Sequence, residues 1–169
     1  MKYQIVYVSQ SGNTEYLAQA IEGCLPADET QLVDLNTQTP SLDAEVYCVG
    51  FGVWHNACPL NVLDFLEQLT DKTVITFATC GMKASEAYRE SIERGIEPFL
   101  PEDCDYRGLY LCQGSISIEG AAALRHRFEK NGDAEMIKKF DAYCQTTSGY
   151  PTREDAVDAC RFVTEALNL

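Results

Sequence analysis

The sequence predicts an α/β fold built on a five-stranded parallel sheet with helices on both sides. Short apolar segments alternate with helical segments along the chain, which is typical of this class. Several of the apolar segments are hydrophobic at nearly every position, as expected for strands buried on both faces. The length of 169 residues favours one domain with a sizeable core. We therefore expect a single domain over residues 1–169.

Five predicted strands follow from the apolar segments, which are rich in β-branched and aromatic residues. They cover residues 3–8, 32–35, 45–51, 73–79 and 108–113. The first strand begins almost at the N-terminus, without an apolar leader or a small-residue cleavage site, so export by a signal peptide is not expected.

Helices are predicted between these strands and after the last one. The first three cover residues 14–23, 59–69 and 85–100, with an interruption near Pro98. Two more cover residues 119–130 and 133–144, separated by the turn dipeptide Asn131-Gly132. A final helix opens at Pro151-Thr152 and runs to about Leu167, and Thr152 with Asp155 three residues on is a helix-start signal.

Charge and hydropathy restrict the partners of the chain. Thirteen Lys and Arg residues against 26 Asp and Glu residues give a formal net charge of -13. An acidic surface of this kind repels phosphate backbones, so we expect no nucleic-acid binding and favour protein partners with basic surfaces. No uncharged apolar run approaches the roughly 20 residues of a membrane helix. We expect a cytoplasmic protein without membrane contact, as a monomer or a weak dimer.

Eight cysteines raise the question of metal or disulfide chemistry. No two of them form a Cys-x-x-Cys pair, and His55 and His126 are not spaced as zinc-finger ligands are. Most of the cysteines lie within apolar segments, where a reduced thiol packs as a small hydrophobic group. The pattern favours reduced core thiols and no metal site.

The most informative segment lies between the first strand and the first helix. It reads Ser9-Gln10-Ser11-Gly12-Asn13-Thr14. A helix N-terminus offers unsatisfied N–H groups and partial positive charge, and the hydroxyl and amide side chains add neutral donors. Gly12 permits a close backbone approach. The segment predicts a phosphate site, and an ordinary capped helix start is the alternative interpretation.

Missing motifs limit which phosphate this loop could bind. It lacks the Gly-Lys-Ser/Thr ending of nucleoside triphosphate sites and the Gly-x-Gly-x-x-Gly spacing of dinucleotide sites. The first strand also ends without the acidic pair of phospho-receiver domains. A monophosphate is therefore the favoured ligand.

The Ser-x-Ser-Gly-Asn-Thr loop after a first strand resembles the phosphate loop of flavodoxins, which bind FMN. Further similarity lies in residues 49–54, 77–81 and 151–155 and extends over nearly the whole chain. Within the family the chain is most similar to short bacterial flavodoxin-like proteins of the BilS type, some of which are tied to bilirubin reduction. The resemblance implies a three-layer flavodoxin-like sandwich with strand order 2-1-3-4-5 and the cofactor beyond the strand carboxyl ends.

The resemblance also implies that the loops after the third and fourth strands flank the flavin ring. The implied cofactor-binding residues of these two loops are Gly52, Val53, Trp54, His55, Asn56, Thr79, Cys80, Gly81 and Met82. Trp54 is the predicted stacking residue for one ring face, and a packed surface tryptophan is the alternative. Backbone amides of residues 79–81 would hydrogen-bond the pyrimidine edge.

The second ring face lacks its usual aromatic residue. The family often places a tyrosine there, but residues 79–84 read Thr-Cys-Gly-Met-Lys-Ala. Met82 could cover this face, or it could stay open to a partner, and Tyr88 is expected to lie too far along its helix. Three neighbouring residues have weaker interpretations: His55 as a proton donor, Cys58 as a thiol activated by a helix start, and Gln113 at the site rim.

The function implied by these residues is FMN-dependent electron transfer between redox partners, with the flavin supplying the chemistry. Two alternatives stay open. The chain could be a flavin-dependent reductase or oxidase of a small substrate such as a tetrapyrrole, or an accessory module of a larger reductase. No residue is assigned a catalytic role.

Overall fold

A computed structural model describes residues 1–169 and contains one five-stranded sheet. Strand β1 covers Tyr3–Val8, as predicted, and the other strands differ from their predicted bounds by a few residues at one or both ends. They are β2 (Thr30–Asp34), β3 (Val46–Gly52), β4 (Thr73–Cys80) and β5 (Asp105–Gln113).

All strand pairs are parallel, and the order is β2-β1-β3-β4-β5. Both the parallel sheet and the strand order implied by the resemblance are confirmed. The pairing of β4 with β5 contains one irregularity, because Val74 lies opposite Tyr106 whereas Thr76 lies opposite Leu109. The extra residue forms a bulge at Gly108, whose φ is 107°.

Six α-helices surround the sheet. They are α1 (Asn13–Cys24), α2 (Leu60–Leu66), α3 (Glu86–Ile96), α4 (Ile118–Lys130), α5 (Ala134–Thr147) and α6 (Arg153–Leu167). A 3₁₀ turn over Glu97–Phe99 ends α3, so the predicted interruption near Pro98 is confirmed. Thr152 and Asp155 form a complete capping box at the start of α6, also as predicted.

The sheet separates two apolar layers. On one face α2 and α3 pack against β-strand residues such as Val49 and Phe51, and on the other face α1 and α6 pack against residues such as Ile5 and Phe77. The strand residues of β1 and the first six residues of β3 are all buried. Burial on both faces explains why these strands are hydrophobic at nearly every position.

The alternation of strand and helix fails once, between β2 and β3, where residues 35–45 form a loop. Tyr47 holds this loop: its hydroxyl donates to the Ser41 carbonyl at 2.8 Å and accepts from the Ala44 N–H at 3.1 Å. The Tyr47 side chain is fully buried and packs edge-on against Phe65. One buried aromatic residue thus anchors the loop to the core.

No helix in the structure has the combined length and apolar character needed to cross a membrane.

Gly50 provides a test of the packing between β3 and β4. A Cβ atom at Gly50 would lie 2.2 Å from Cζ of Phe77, its fully buried register partner. We expect Gly50→Ala to lower the free energy of unfolding by about 1–3 kcal/mol, because the core cannot accept the added methyl group without a shift. Urea denaturation followed by circular dichroism would measure the change.

Gly23→Ala on α1 is the matched control for Gly50→Ala. Nothing lies within 4 Å of a Cβ atom at Gly23. Alanine is the better helix former, so this variant should be unchanged or stabilised by up to about 1 kcal/mol. Equal urea midpoints for the two variants would contradict the packing argument.

The buried thiol of Cys48 predicts a stability change at alkaline pH. Burial raises the pKa of this thiol from 9.0 to about 12. Above pH 9.0 the Cys48 thiol ionises in the unfolded chain but stays protonated in the folded chain. The folded state therefore loses free energy of stabilisation as the pH rises from 9.0 toward the folded-state pKa. The urea midpoint should fall between about pH 7.5 and about pH 10, and Cys48→Ala should reduce that fall. An undiminished fall in the variant would assign the effect to other groups.

Candidate functional site

Four loops meet at the carboxyl edge of the sheet. They follow β1, β3, β4 and β5, and because the strands are parallel they lie on the same edge. The end of β4 connects them. The Thr79 carbonyl accepts from the Val53 N–H at 2.8 Å, and the Cys80 carbonyl accepts from the Gly114 N–H at 2.8 Å. The predicted site residues of the first three loops are therefore brought together.

The loop after β1 presents unused backbone donors. Gly12 is the N-cap residue of α1 in a left-handed conformation, φ 82°, and no side chain caps the helix. Helices α3, α4, α5 and α6 each have a side-chain cap, whereas α2, like α1, has none. Apart from that of Gly12, the backbone N–H groups of residues 9–15 have no acceptor within the protein. The alternative of an ordinary side-chain-capped helix start does not describe this loop.

The side chains of this loop divide into two groups. Gln10 and Ser11 are exposed, and the Ser9 hydroxyl accepts from the Gly12 N–H at 3.1 Å. Asn13 and Thr14 are buried. Exposed hydroxyl and amide groups can donate hydrogen bonds to an anion. Because these groups are uncharged, they add no charge to the loop when no ligand is bound.

The Asn13 side chain is occupied by contacts with the segment after β5. Its Nδ2 donates to the Ser115 carbonyl at 2.7 Å, and its Oδ1 accepts from the Ser115 hydroxyl at 3.0 Å. The amide group thus joins the β1 loop to the segment after β5. The backbone N–H of Asn13 is the group left for a ligand, which differs from the predicted side-chain role.

Thr14 is also joined to another loop. Its Oγ1 lies 3.0 Å from Oγ1 of Thr79 at the end of β4, and both side chains are buried. One hydroxyl donates to the other, so the second hydroxyl proton stays available. Gly52 lies beside this pair, since a Cβ atom there would be 3.8 Å from Oγ1 of Thr14.

The loop after β3 is a tight hairpin. Trp54 and Ala57 exchange two backbone hydrogen bonds of 3.0 and 2.9 Å, and the two central residues, His55 and Asn56, have φ values of 49° and 61°. Two positive φ values are characteristic of a type I′ turn, and Asn accepts them more readily than most residues. The turn fixes the backbone on both sides of Trp54.

Trp54 is 60% exposed and is not part of the core. Its ring meets the His55 ring edge-on, with centroids 5.0 Å apart. His55 is exposed and makes no hydrogen bond through its side chain. A large aromatic ring that is held on a fixed backbone and is mostly open to solvent is suited to cover a flat ligand. The contacts of His55 give no support to the hypothesis that it is a proton donor.

Tyr88 reaches this loop from α3. Its hydroxyl donates to Oδ1 of Asn56 at 2.9 Å. Tyr88 therefore contacts the turn at residues 55–56, and the expectation that it lies too far along its helix to cover the second ring face stays a prediction. Burial raises the pKa of Tyr88, so its hydroxyl stays protonated at neutral pH.

The loop after β4 also has unused donors. The N–H groups of Gly81 and Met82 have no acceptor within the protein, and Met82 is 50% exposed. The Cys80 thiol is buried, donates to the Met82 carbonyl at 3.1 Å and has its pKa raised by burial. Cys80 therefore shapes the loop, and the two amides are the groups that could bind the polar edge of a ligand.

Cys58 is not an activated thiol. It is 8% exposed within the core, and burial raises its pKa to about 12. Helix α2 begins one residue later than predicted, at Leu60, with Pro59 as its N-cap. Desolvation of the thiolate outweighs any stabilisation by the helix N-terminus, so the hypothesis of a reactive thiol is wrong.

One residue at this edge was not identifiable from the sequence. The hydroxyl of Tyr143, on α5, donates to the Gly81 carbonyl, and Nε2 of Gln113 donates to the same hydroxyl at 3.4 Å. Gln113 thus contacts Tyr143 beside the loop after β4, and its place at the site rim stays a prediction. Tyr143 follows no motif, because its place depends on how the hairpin of α4 and α5 lies over the sheet edge.

These loops together offer neutral donors on one side and an exposed aromatic ring on the other. No group of three or more His, Cys, Asp or Glu side chains is arranged to hold a metal ion. Two concavities lie elsewhere: one of about 310 Å³ between α4 and α5, and one of about 620 Å³ along β5 beside α3 and α6. Both concavities are lined by residues of helices and of β5, and neither is lined by residues of the four loops.

Comparison with known proteins identifies the family of this chain. A model of the flavodoxin domain matches residues 4–164. A relative from Clostridioides difficile strain CD3, the flavodoxin-like domain-containing protein BilS, is 27% identical over 166 residues, which cover 96% of this chain and 94% of the relative.

Solved structures share the fold at low sequence identity. Oxidised flavodoxin 2 from Bacillus cereus has a TM-score of 0.61 and 18% identity, with 99% of each chain covered. A flavoprotein from Lactobacillus acidophilus, solved in complex with FMN, has a TM-score of 0.51 and 13% identity over 65% of this chain and 92% of its own. The chain belongs to the flavodoxin family and is similar within it to the BilS proteins.

Proposed function

We propose that this chain binds FMN at the carboxyl edge of its sheet and transfers electrons between redox partners. The observation that carries the proposal is the N-terminus of α1, which has no side-chain cap: the backbone N–H groups of residues 9–11 and 13–15 have no acceptor, and the Ser11 hydroxyl is exposed. Family membership and a similar flavoprotein solved with FMN support a flavin as the ligand.

The phosphate group of FMN is assigned to the loop after β1. Backbone N–H groups of residues 11 and 13–15 and the Ser9 and Ser11 hydroxyls are its donors. No Lys or Arg lies in residues 9–15, so the dianion would be held by neutral donors and the helix N-terminus alone.

The ring system is assigned to the space between the loops after β3 and β4. Trp54 would cover one face and exclude water from it, and the free amides of Gly81 and Met82 would bind the pyrimidine edge. FMN supplies one- and two-electron redox chemistry when bound. The chain contributes binding, orientation and the electrostatic surroundings that set the potential.

The net charge of -13 supports a role for electrostatics in this function. Acidic surroundings disfavour the negative charge that a flavin gains on reduction and so lower its potential. The same charge would attract a reductase or acceptor with a basic surface, and salt would weaken both effects. We further propose a cytoplasmic protein that acts as a monomer or weak dimer.

A first experiment is the visible absorbance of the purified chain before and after FMN is added and the excess removed by gel filtration. Retained bands with a perturbed shape would support flavin binding. A colourless protein would contradict it and favour the accessory-module function. Turnover of a small substrate without a partner protein would favour the reductase or oxidase.

Ser11→Asp tests the phosphate assignment. The exposed hydroxyl would be replaced by a carboxylate facing a dianion, and like-charge contacts cost several kcal/mol. We expect FMN affinity to fall at least about 100-fold in a fluorescence titration, with the thermal midpoint of the flavin-free protein unchanged. Ser91→Asp on α3, also exposed, adds the same charge away from the loop and should bind FMN normally. Retained affinity in Ser11→Asp would overturn the assignment.

Trp54→Ala tests the ring assignment. Stacking of an aromatic side chain on a planar ring contributes about 1–3 kcal/mol, so affinity for FMN should fall about tenfold or more. Affinity for riboflavin, which has no phosphate, should fall by a similar factor, whereas Ser11→Asp should affect FMN far more than riboflavin. Unchanged affinity together with an unchanged flavin potential would show that Trp54 does not cover the ring.

A further inference from the structure

Helices α1 and α6 pack side by side on the sheet face that contains Ile5 and Phe77. Several buried side chains of these two helices are small, namely Ala18, Ala156 and Ala159. Small side chains at a helix–helix contact let the two backbones approach closely. A side chain at this interface can therefore reach the backbone of the other helix.

Two cysteines lie at this interface, and both are half-buried. Cys24 is the last residue of α1, and Cys160 lies in the middle of α6. The Cys160 thiol donates to the Ala20 carbonyl of α1 at 3.1 Å. In the α-helix the same carbonyl accepts from the Cys24 N–H, so the Cys160 sulfur lies beside the backbone of Cys24.

The thiol of Cys24 also lies at this contact. It donates to the Ile21 carbonyl at 3.1 Å, and this carbonyl is next along the chain from that of Ala20. Burial raises the pKa of Cys24 to about 12, and a hydrogen bond with the Cys160 thiol adds to the shift. The two sulfur atoms are therefore close neighbours, although their residues are far apart in the sequence.

The other six cysteines do not offer a second pair of this kind. Cys104, in the loop before β5, and Cys144, on α5, are half-buried but lie in separate parts of the fold. The remaining four are buried: Cys48, Cys58, Cys80 and Cys112. Burial keeps a dissolved oxidant away from these four thiols, so Cys24 and Cys160 are the pair that is open to oxidation.

We propose that Cys24 and Cys160 form a redox modification site, in which hydrogen peroxide joins α1 to α6 by a reversible disulfide. The Cys160 sulfur attacks the peroxide first, which breaks the O–O bond, gives a sulfenic acid and releases one water. The Cys24 sulfur then displaces the hydroxyl group of the sulfenic acid, so the S–S bond forms and a second water leaves. Two electrons pass from the sulfur atoms to the peroxide oxygens, and both thiol protons leave with the water. A dithiol reductant reverses the reaction by thiol–disulfide exchange.

The order in which the two sulfur atoms react follows from their surroundings. The raised pKa of Cys24 disfavours its thiolate, which is the form that attacks a peroxide, so Cys160 is assigned the first step. Cys24 then needs to cover only the short distance to the neighbouring sulfur. Disulfides in reducing compartments are usually transient and redox-sensing, which fits a pair of thiols that is free in the structure.

The disulfide would stabilise the fold without entering the candidate site. Cys24 lies roughly 16 Å along α1 from Asn13, at the end of the helix farthest from the loop after β1. A cross-link between residues 24 and 160 closes most of the chain into one loop, and long loops give the largest loss of unfolded-state entropy. The pair is present whether or not a flavin is bound, so its oxidation is independent of the proposed function.

Peroxide treatment of the reduced chain tests this proposal. We expect the intact mass to fall by two hydrogen atoms and the thermal midpoint to rise by at least about 4 °C. After the remaining thiols are blocked with N-ethylmaleimide, digestion without reductant should give one cross-linked peptide pair, which joins residues 24 and 160. Dithiothreitol should restore both the mass and the midpoint.

The variants Cys24→Ser and Cys160→Ser each remove one sulfur and should show neither the cross-link nor the rise in midpoint. Cys144→Ser on α5 is the matched control, because it removes another half-buried thiol and should behave as the unchanged protein does. Absence of the cross-link in the unchanged protein would overturn the proposal, as would a rise in midpoint that persists in Cys24→Ser. The peptide map of the unchanged protein decides the question even where a variant folds poorly.

Discussion

The end of β4 is the point on which the candidate site depends. Backbone hydrogen bonds from Val53 and Gly114 reach the carbonyls of Thr79 and Cys80, and the Thr79 hydroxyl meets that of Thr14. The positions of three loops are thereby fixed relative to one buried strand. A strand buried on both faces has little freedom to move, so loops bonded to its end keep their relative positions without a rigid structure of their own.

The parts of this arrangement that could be predicted are those encoded over short distances. The burial of β1 on both faces is visible in its unbroken apolar sequence, and the cap of α6 is visible in the spacing of Thr152 and Asp155. The loop of residues 9–14 is recognisable for the same reason, because a strand end, a glycine and a helix start occur within six residues.

Contacts between distant segments could not be predicted in this way. Asn13 is a plausible phosphate donor from its neighbours alone, but its side chain bonds Ser115, 102 residues away. Tyr88 and Tyr143 reach the site because of where α3 and the α4–α5 hairpin lie, and hydropathy patterns do not determine those positions. No helix is predicted between β2 and β3, but the contact that holds the loop there, from the Tyr47 hydroxyl to the Ser41 carbonyl, could not be predicted.

The bulge in β5 affects how the edge of the sheet can pair with a strand of a neighbouring chain. β5 forms one border of the sheet, and a regular border strand of nine residues would offer a row of unpaired backbone groups to any neighbouring chain. The extra residue at Gly108 breaks the regular spacing of that row, and the charged Asp105 and Arg107 lie just before it. Such an interruption makes pairing with a strand of a neighbouring chain less favourable.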